Sequence, residues 1–201
     1  MNVLLLGCGH SRQRRLMLRN YPNGSAQLVP ADNYGEWPDG TQLMTWDTNP
    51  ECLPSSVIDL DRSWPLWFDD HSNRHRVDID SLEHHFDEIH AYEVLEHLGT
   101  QGDVLSFFNT FVGIWMLLKK GGVLFATVPH WKSEWAWGDP SHRRVITPGS
   151  LSFLSKRQYR EQLGKTPMSD FREYLGGADF EVIQVVATAR EDILYFALRA
   201  V

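Results

Sequence analysis

The feature that most constrains this chain is a set of short runs that are apolar on every residue. Asn2–Leu6 reads NVLLL and stops at Gly7; Gly122–His130 reads GVLFATVPH and is closed by Pro129. A strand with one wet face alternates apolar and polar residues, whereas a continuous run is covered on both faces. Such strands belong to parallel sheets. Parallel neighbours need long crossover connections, so the chain must fold as an α/β domain with an open sheet.

The remaining segments fill in that scheme. QLMTWD is a second strand ending on Asp47, and SSVIDLD holds a third, short one near Val57–Leu60. FDEIHAYEVLEHL begins as a strand around Glu88–Tyr92 and then turns helical. In DVLSFFNTFVGIWMLLKKGG, Val104, Phe107, Phe108, Phe111, Ile114, Trp115, Leu117 and Leu118 recur at helical spacing. Lys119 and Lys120 suit the negative end of that helix, and Gly121–Gly122 a left-handed stop. SRQRRLMLRN is expected to form a short helix ended by the YPNG turn, and Ser25–Gly40 a loop. Arg62–Arg76 is a second expected loop, and DIDSLEHHF a short helix capped by Asp78 or Asp80. WKSEWAWGDPSHRRVITPG is a third loop, with three tryptophans. SLSFLSKRQYREQLG is an amphipathic helix with Ser150 as its expected cap. FEVIQVVAT and DILYFALRAV are close enough in sequence to pair as an antiparallel hairpin. The pattern predicts one domain over residues 1–201. Its architecture is a Rossmann-like three-layer sandwich: a seven-stranded, mostly parallel sheet, helices on both faces, and a C-terminal antiparallel hairpin.

Charge and cysteine content narrow the function. The formal net charge of -7 argues against nucleic acid as a partner, although Arg12–Arg15 and Arg143–Arg144 are local basic clusters. The two cysteines, Cys8 and Cys52, make no disulfide scaffold and fit a reducing compartment. The apolar opening is too short for a secretory signal or a membrane span, so a cytoplasmic protein with no membrane partner is expected.

Ligands of open α/β sheets lie beyond the carboxyl ends of the strands. Those ends carry Gly7–His10, Asp47, Asp59, Tyr92–Glu93 and Pro129–His130. A strand running into G-x-G lets a backbone approach a ligand closely, although many tight turns use glycine for no such purpose. Ser11 and Arg12 stand where a dinucleotide fingerprint would continue, so pyrophosphate is disfavoured. A carboxylate at Asp47 can accept from both hydroxyls of a ribose, or simply close a turn. Asp59 can accept from an exocyclic amine, or sit in a loop.

Taken together these segments resemble a class I S-adenosylmethionine-dependent methyltransferase. VLLLGCGHSR resembles the family's first motif, MTWDTNP its acidic ribose segment, and SSVIDLDRSWPL the segment that frames adenine. FDEIHAYEVLEHLG is similar to the fourth-strand signature of the methyltransferase-11-like group, and LLKKGGVLFATVPH to its fifth-strand segment. The match covers about two-thirds of the chain. It implies S-adenosyl-L-methionine as cofactor, strand order 3-2-1-4-5-7-6, and methyl transfer to a small-molecule acceptor. It also implies that Gly7 and Gly9, with Cys8 and His10 beside them, line the methionine part. Asp47 would hold the ribose, Thr48 flank the adenine, Asp59 and Leu60 frame it, and Tyr92 and Glu93 lie over the sulfonium.

The chain departs from the family in three places. Leu5 replaces the usual acidic residue two places before the first glycine, and the segment from Arg12 to Asp47 is stretched. No Asn/Asp-Pro-Pro-Tyr/Phe motif follows the fourth strand, which argues against amino-methylation of DNA bases. Alternatives are therefore a cofactor-binding protein that transfers nothing, and a polyamine synthase on the same fold.

Transfer from a sulfonium needs alignment more than acid–base chemistry, and a base only where the acceptor must lose a proton. His97, His130 and His142 are the candidates; His97 otherwise faces the sheet, and His142 otherwise decorates a surface loop. Trp131, Trp135 and Trp137 either cover the acceptor or serve as a lid or homodimer surface. His84 and His85 are adjacent, and no Cys/His ligand spacing is present, so no metal is expected.

Overall fold

A computed structural model of the chain describes residues 1–61 and 80–201. The expected Arg62–Arg76 loop and the Asp78 cap lie outside the described residues. β1 (Asn2–Leu6), β4 (Gln42–Asp47), β5 (Ser56–Val57), β6 (Phe86–Tyr92), β7 (Leu118–Pro129), β8 (Phe180–Ala187) and β9 (Ile193–Ala200) form one sheet. Its order is β5-β4-β1-β6-β7-β9-β8. β1 pairs in parallel with β4 and β6, while β9 runs antiparallel to β7 and β8. Two strands, β2 (Arg14–Asn20) and β3 (Ala26–Gly35), form a separate antiparallel hairpin. With these left out, the sheet strands counted along the chain run 3-2-1-4-5-7-6, as the resemblance implied.

The continuous apolar runs are buried on both faces. From β1, Leu4 and Leu6 join one core and Leu5 the other; from β7, Leu124, Ala126 and Val128 join the first, Val123 and Phe125 the second. The larger core is covered by α1 (Val104–Leu117), α3 (Pro148–Ser152), α4 (Lys156–Gln162) and α5 (Arg172–Leu175), through Phe108, Phe111, Ile114, Leu151, Tyr159 and Leu175. The second face, where helices were expected, is covered among the described residues by the β2–β3 hairpin, which inserts Leu16 and Leu28.

Six local expectations are corrected. SRQRRLMLRN is not a helix, because its second half is β2; the YPNG turn is the hairpin turn, closed by Tyr21 N–H to Ser25 O at 2.8 Å. The expected Ser25–Gly40 loop contains β3. Lys119 and Lys120 do not end α1: the backbone turns extended at Leu118, which already pairs with Phe86, and both lysines lie in β7. The helix expected from Ser150 is two helices. Thr147 caps α3 in a capping box whose third helical residue is Ser150, and Ser155 caps α4 anew. The described residues of DIDSLEHHF contribute a 3-10 turn, Asp80–Leu82, before β6 begins at Phe86. The expected WKSEWAWGDPSHRRVITPG loop contains a short helix, α2 (Trp135–Gly138). No described helix is long and apolar enough to cross a membrane.

Candidate functional site

The turn after β1 is held open by backbone and side chain together. Gly7 and Gly9 have φ of 58° and 51°, the left-handed region that favours glycine. A Cβ at Gly7 would stand 2.4 Å from Cγ2 of Val94, so the turn after β6 packs directly on this glycine. Among the described residues, a Cβ at Gly9 would meet nothing within 4 Å. The space beside Gly9 is therefore open to a ligand.

Asp47, at the tip of β4, ties this turn to its neighbour. Its Oδ2 accepts from Gly9 N–H at 2.8 Å and its Oδ1 from Asn49 N–H at 2.9 Å. Each oxygen keeps a lone pair for a further donor. Arg12 locks the same two loops, donating to the carbonyls of Cys52 and Leu53 at 2.8 and 2.5 Å. Cys8 is buried, His10 and Thr48 are exposed, and the ring of His10 lies 4.0 Å from Cys52 Sγ.

Asp59 is exposed and Leu60 is 4% exposed, in the main core. Leu60 also lines a surface cavity with Asp61, Leu98, Gly99, Asp103 and Ser106. Asp61 accepts from Gly99 N–H at 2.7 Å and pairs with Arg143, joining the end of β5 to the loop after β7.

At the tip of β6, Glu93 has φ 57°, unusual for a residue with a side chain. Its Oε1 is buried and, among the described residues, without a hydrogen-bond partner. Strain and an unsatisfied oxygen mark functional positions. Tyr92 is turned the other way. Its hydroxyl lies under the hairpin, 3.0 and 3.2 Å from the N–H groups of Arg15 and Leu16 and 2.5 Å from His90 Nδ1. Burial pushes this phenol up to about 12. His90 Nε2 stands 2.9 Å from Glu88 Oε2, and Glu88 pairs with Arg14 at 2.7 Å.

The three candidate histidines separate. His130 is 1% exposed, stacked on Trp131, and its Nδ1 accepts from Lys132 N–H at 3.2 Å. His97 and His142 stand together, ring centroids 4.8 Å apart, next to Glu96. Trp135 and Trp137 are 63% and 68% exposed and fill no core. Sequence reasoning did not single out Glu96, Arg14, Glu88 or His90. Glu88, His90 and Tyr92 alternate along β6, a period-two signal for one shared face. Glu96 carried no such signal.

No protein-family model matches the sequence, and neither does any curated protein. Solved structures match its shape. The whole chain is similar to the 16S rRNA (adenine(1408)-N(1))-methyltransferase from Catenulisporales acidiphilia, with 84% of that chain covered, 12% identity and a TM-score of 0.52. The chain has the fold of a class I S-adenosylmethionine-dependent methyltransferase. It is also similar to N-methyltransferase NodS from Bradyrhizobium japonicum WM9 bound to S-adenosyl-L-homocysteine (99% of this chain, 77% of that one, 14% identity, TM-score 0.47). A third is the 1,6-didemethyltoxoflavin-N1-methyltransferase of Burkholderia thailandensis (99%, 70%, 13%, TM-score 0.49). At these identities the likeness is one of fold. Within the methyltransferase fold, Gly7, Gly9, Asp47 and Glu93 all stand at the carboxyl ends of parallel strands.

Proposed function

We propose that the chain binds S-adenosyl-L-methionine at the tips of β1, β4 and β6 and transfers its methyl group to a small-molecule acceptor. The observation that carries this reading is the bond from Gly9 N–H to Asp47 Oδ2, beside open space at Gly9. It aligns an exposed backbone turn with a carboxylate that has acceptor capacity left for hydroxyls.

A cofactor held there would supply an electrophilic methyl carbon to the lone pair of an acceptor. The residues of the chain hold and orient. Gly7 and Gly9 bring backbone close to the amino-acid part, and Asp47 accepts from the ribose. Leu60 and the cavity beside it receive the base, and Asp59, next to Leu60 in the chain, frames it. Glu93 offers a carboxylate oxygen near the sulfonium, where negative charge attracts the cofactor. The N–H groups that engage the Tyr92 hydroxyl belong to the hairpin, so Tyr92 acts from beneath, by fixing the hairpin behind the turn. Leu5 is 2% exposed in the second core, so the cofactor's amino group needs another anchor.

Calorimetry with S-adenosylmethionine and S-adenosylhomocysteine tests binding, and release of S-adenosylhomocysteine with a mixed acceptor pool tests transfer. Asp47→Ala should weaken binding by about 1.5–3 kcal/mol, the loss of a charge-assisted hydrogen bond. Gly9→Val should abolish binding while the protein stays folded. Wild-type affinity in both variants would remove the reading. Binding without product from any acceptor would favour the non-transferring alternative, which the leucine at position 5 motivates.

A further inference from the structure

Glu96, in the 3-10 turn that follows β6 (Leu95–His97), is 2% exposed. Among the described residues neither of its carboxylate oxygens has a hydrogen-bond partner. The one group that favours its charged form is its own backbone N–H, and neither oxygen makes a hydrogen bond with it. Buried carboxylates are paired, hydrogen-bonded or bound to metal, because an isolated one is costly. Among the described residues no lysine or arginine pairs with Glu96. Its charged neighbours are Glu93 and Asp139, both acidic.

Two imidazoles complete the cluster. One ligand atom each from Glu96, His97 and His142 all lie within 4.8 Å of one another. His97 Nδ1 stands 3.1 Å from the Ser141 carbonyl oxygen, and His142 Nδ1 stands 2.8 Å from that of Trp135. A carbonyl only accepts, so Nδ1 carries the proton in both rings and Nε2 keeps its lone pair. That is the tautomer of a metal-bound histidine, and the carbonyl is its outer support.

The spacing separates a metal from a direct ion pair. No hydrogen bond joins either imidazole to Glu96 among the described residues, and His142 Nε2 is 3.9 Å from Asp139 Oδ2. Two ligands at 2.0–2.2 Å from one zinc stand roughly 3.4 Å apart in a tetrahedral set. Neither imidazole bonds Glu96 directly, and the ligand atoms, all within 4.8 Å of one another, exceed the span an ion sets by at most about 1.4 Å. The backbone keeps the donors in register. The Glu96 carbonyl accepts from Arg143 N–H at 2.8 Å and Arg144 N–H at 3.1 Å, so the loop bearing His142 is fastened to the turn bearing Glu96 and His97.

We propose that Glu96, His97 and His142 bind a divalent transition-metal ion of the zinc class, with Asp139 at the edge of the site. Two imidazole nitrogens and a carboxylate suit such an ion, whereas magnesium and calcium favour all-oxygen sets. The ion ties the loop after β7 to the turn after β6 and retains an open position, as three-ligand zinc sites do. The site uses none of Gly7, Gly9 or Asp47, so it stands or falls apart from the proposed cofactor site.

The test uses the full chain after chelation and dialysis, titrated with Co2+ and Zn2+ by calorimetry and by the visible absorption of bound cobalt. The expected result is one ion per chain with a cobalt spectrum of nitrogen and oxygen ligands. His142→Ala and Glu96→Gln should weaken binding at least tenfold, with the circular dichroism spectrum and the urea midpoint measured alongside to report an intact fold. Should Glu96→Gln fail to fold, the His97→Ala/His142→Ala pair, at partly exposed positions, gives the same comparison. Absence of binding by the wild-type chain, an unchanged cobalt spectrum and affinity in the histidine variants, or equal competition by Mg2+ would each overturn the assignment.

Discussion

Tyr92→Phe is the sharpest probe of how the hairpin is held. The β2–β3 ladder is irregular between Arg14 and Leu16, and Leu16 stands opposite Pro30, which has no N–H. At this irregularity the buried Tyr92 hydroxyl accepts from Arg15 and Leu16 N–H and donates to His90 Nδ1. Those roles also fix the histidine: Nδ1 accepts, so Nε2–H donates to Glu88, which Arg14 balances. Phenylalanine keeps the ring and its packing and removes three bonds. At about 0.5–1.5 kcal/mol each, with partners left buried, the expected destabilisation is roughly 2–4 kcal/mol. Urea unfolding measures the total. Hydrogen exchange locates it: a local loss of about 2 kcal/mol speeds exchange of the Arg15 and Leu16 amides roughly thirtyfold. A change under about 0.5 kcal/mol, with both amides exchanging as before, would mean that the hairpin does not depend on this hydroxyl.

Stability should also fall on acidification. Burial holds His90 below its ordinary value, so the unfolded chain binds more protons once the pH drops below about 6.5, and stability declines from there. Burial alone would raise Glu88, but His90 and Arg14 outweigh it and hold its carboxyl low; a second loss starts near pH 4.3 and continues through the folded-state value. A urea midpoint that is flat from pH 7.5 to 5 would contradict the first claim. Gly7→Ala should cost about 2–4 kcal/mol, from a left-handed alanine and from overpacking against Val94. In a double-mutant cycle Val94→Ala should recover the overpacking part, and strict additivity would show that the contact relaxes freely.

The sheet was legible because its strands are apolar on both faces, and that pattern has few other solutions. The hairpin was not. Arg14-Arg15-Leu16-Met17-Leu18-Arg19 is as compatible with a helix turn as with a strand; what decides is that Leu16 and Leu18 share one face and dock on the second core, with Leu28 N–H reaching Gln184 Oε1 at 2.7 Å. That partner lies 156 residues away, beyond any local signal. The two lysines after α1 read as a helix end by charge alone, whereas the pairing of Leu118 with Phe86 turns them into strand. Ser150 reads as the cap because it precedes the apolar run, whereas Thr147 caps α3: Thr-Pro-Gly-Ser sets a hydroxyl three residues ahead of Ser150 with proline at the first helical position, and the capping box forms there. The placement of Gly7, Gly9 and Asp47 at the strand ends was legible because glycine and a strand-end carboxylate have local consequences. The grouping of Glu96 with His142 rests on the fold of a distant loop.

The hairpin also changes what the glycine turn can bind. Where a helix follows such a turn, its free N–H groups and its dipole present positive charge to the ligand, which suits phosphate. Here β2 begins at Arg14, and among the described residues no helix starts between Gly9 and β4. The turn is held by anionic Asp47 on Gly9 N–H and by Arg12, whose guanidinium is spent on the carbonyls of Cys52 and Leu53. Glu93, with an unpartnered oxygen, adds a second carboxylate at the next strand tip. The tips of β4 and β6 thus set two carboxylates around the open glycine turn, with no helix dipole to offset them. Such a turn disfavours pyrophosphate and favours a ligand with hydroxyls at one end and positive charge at the other. A nucleoside carrying a sulfonium has both.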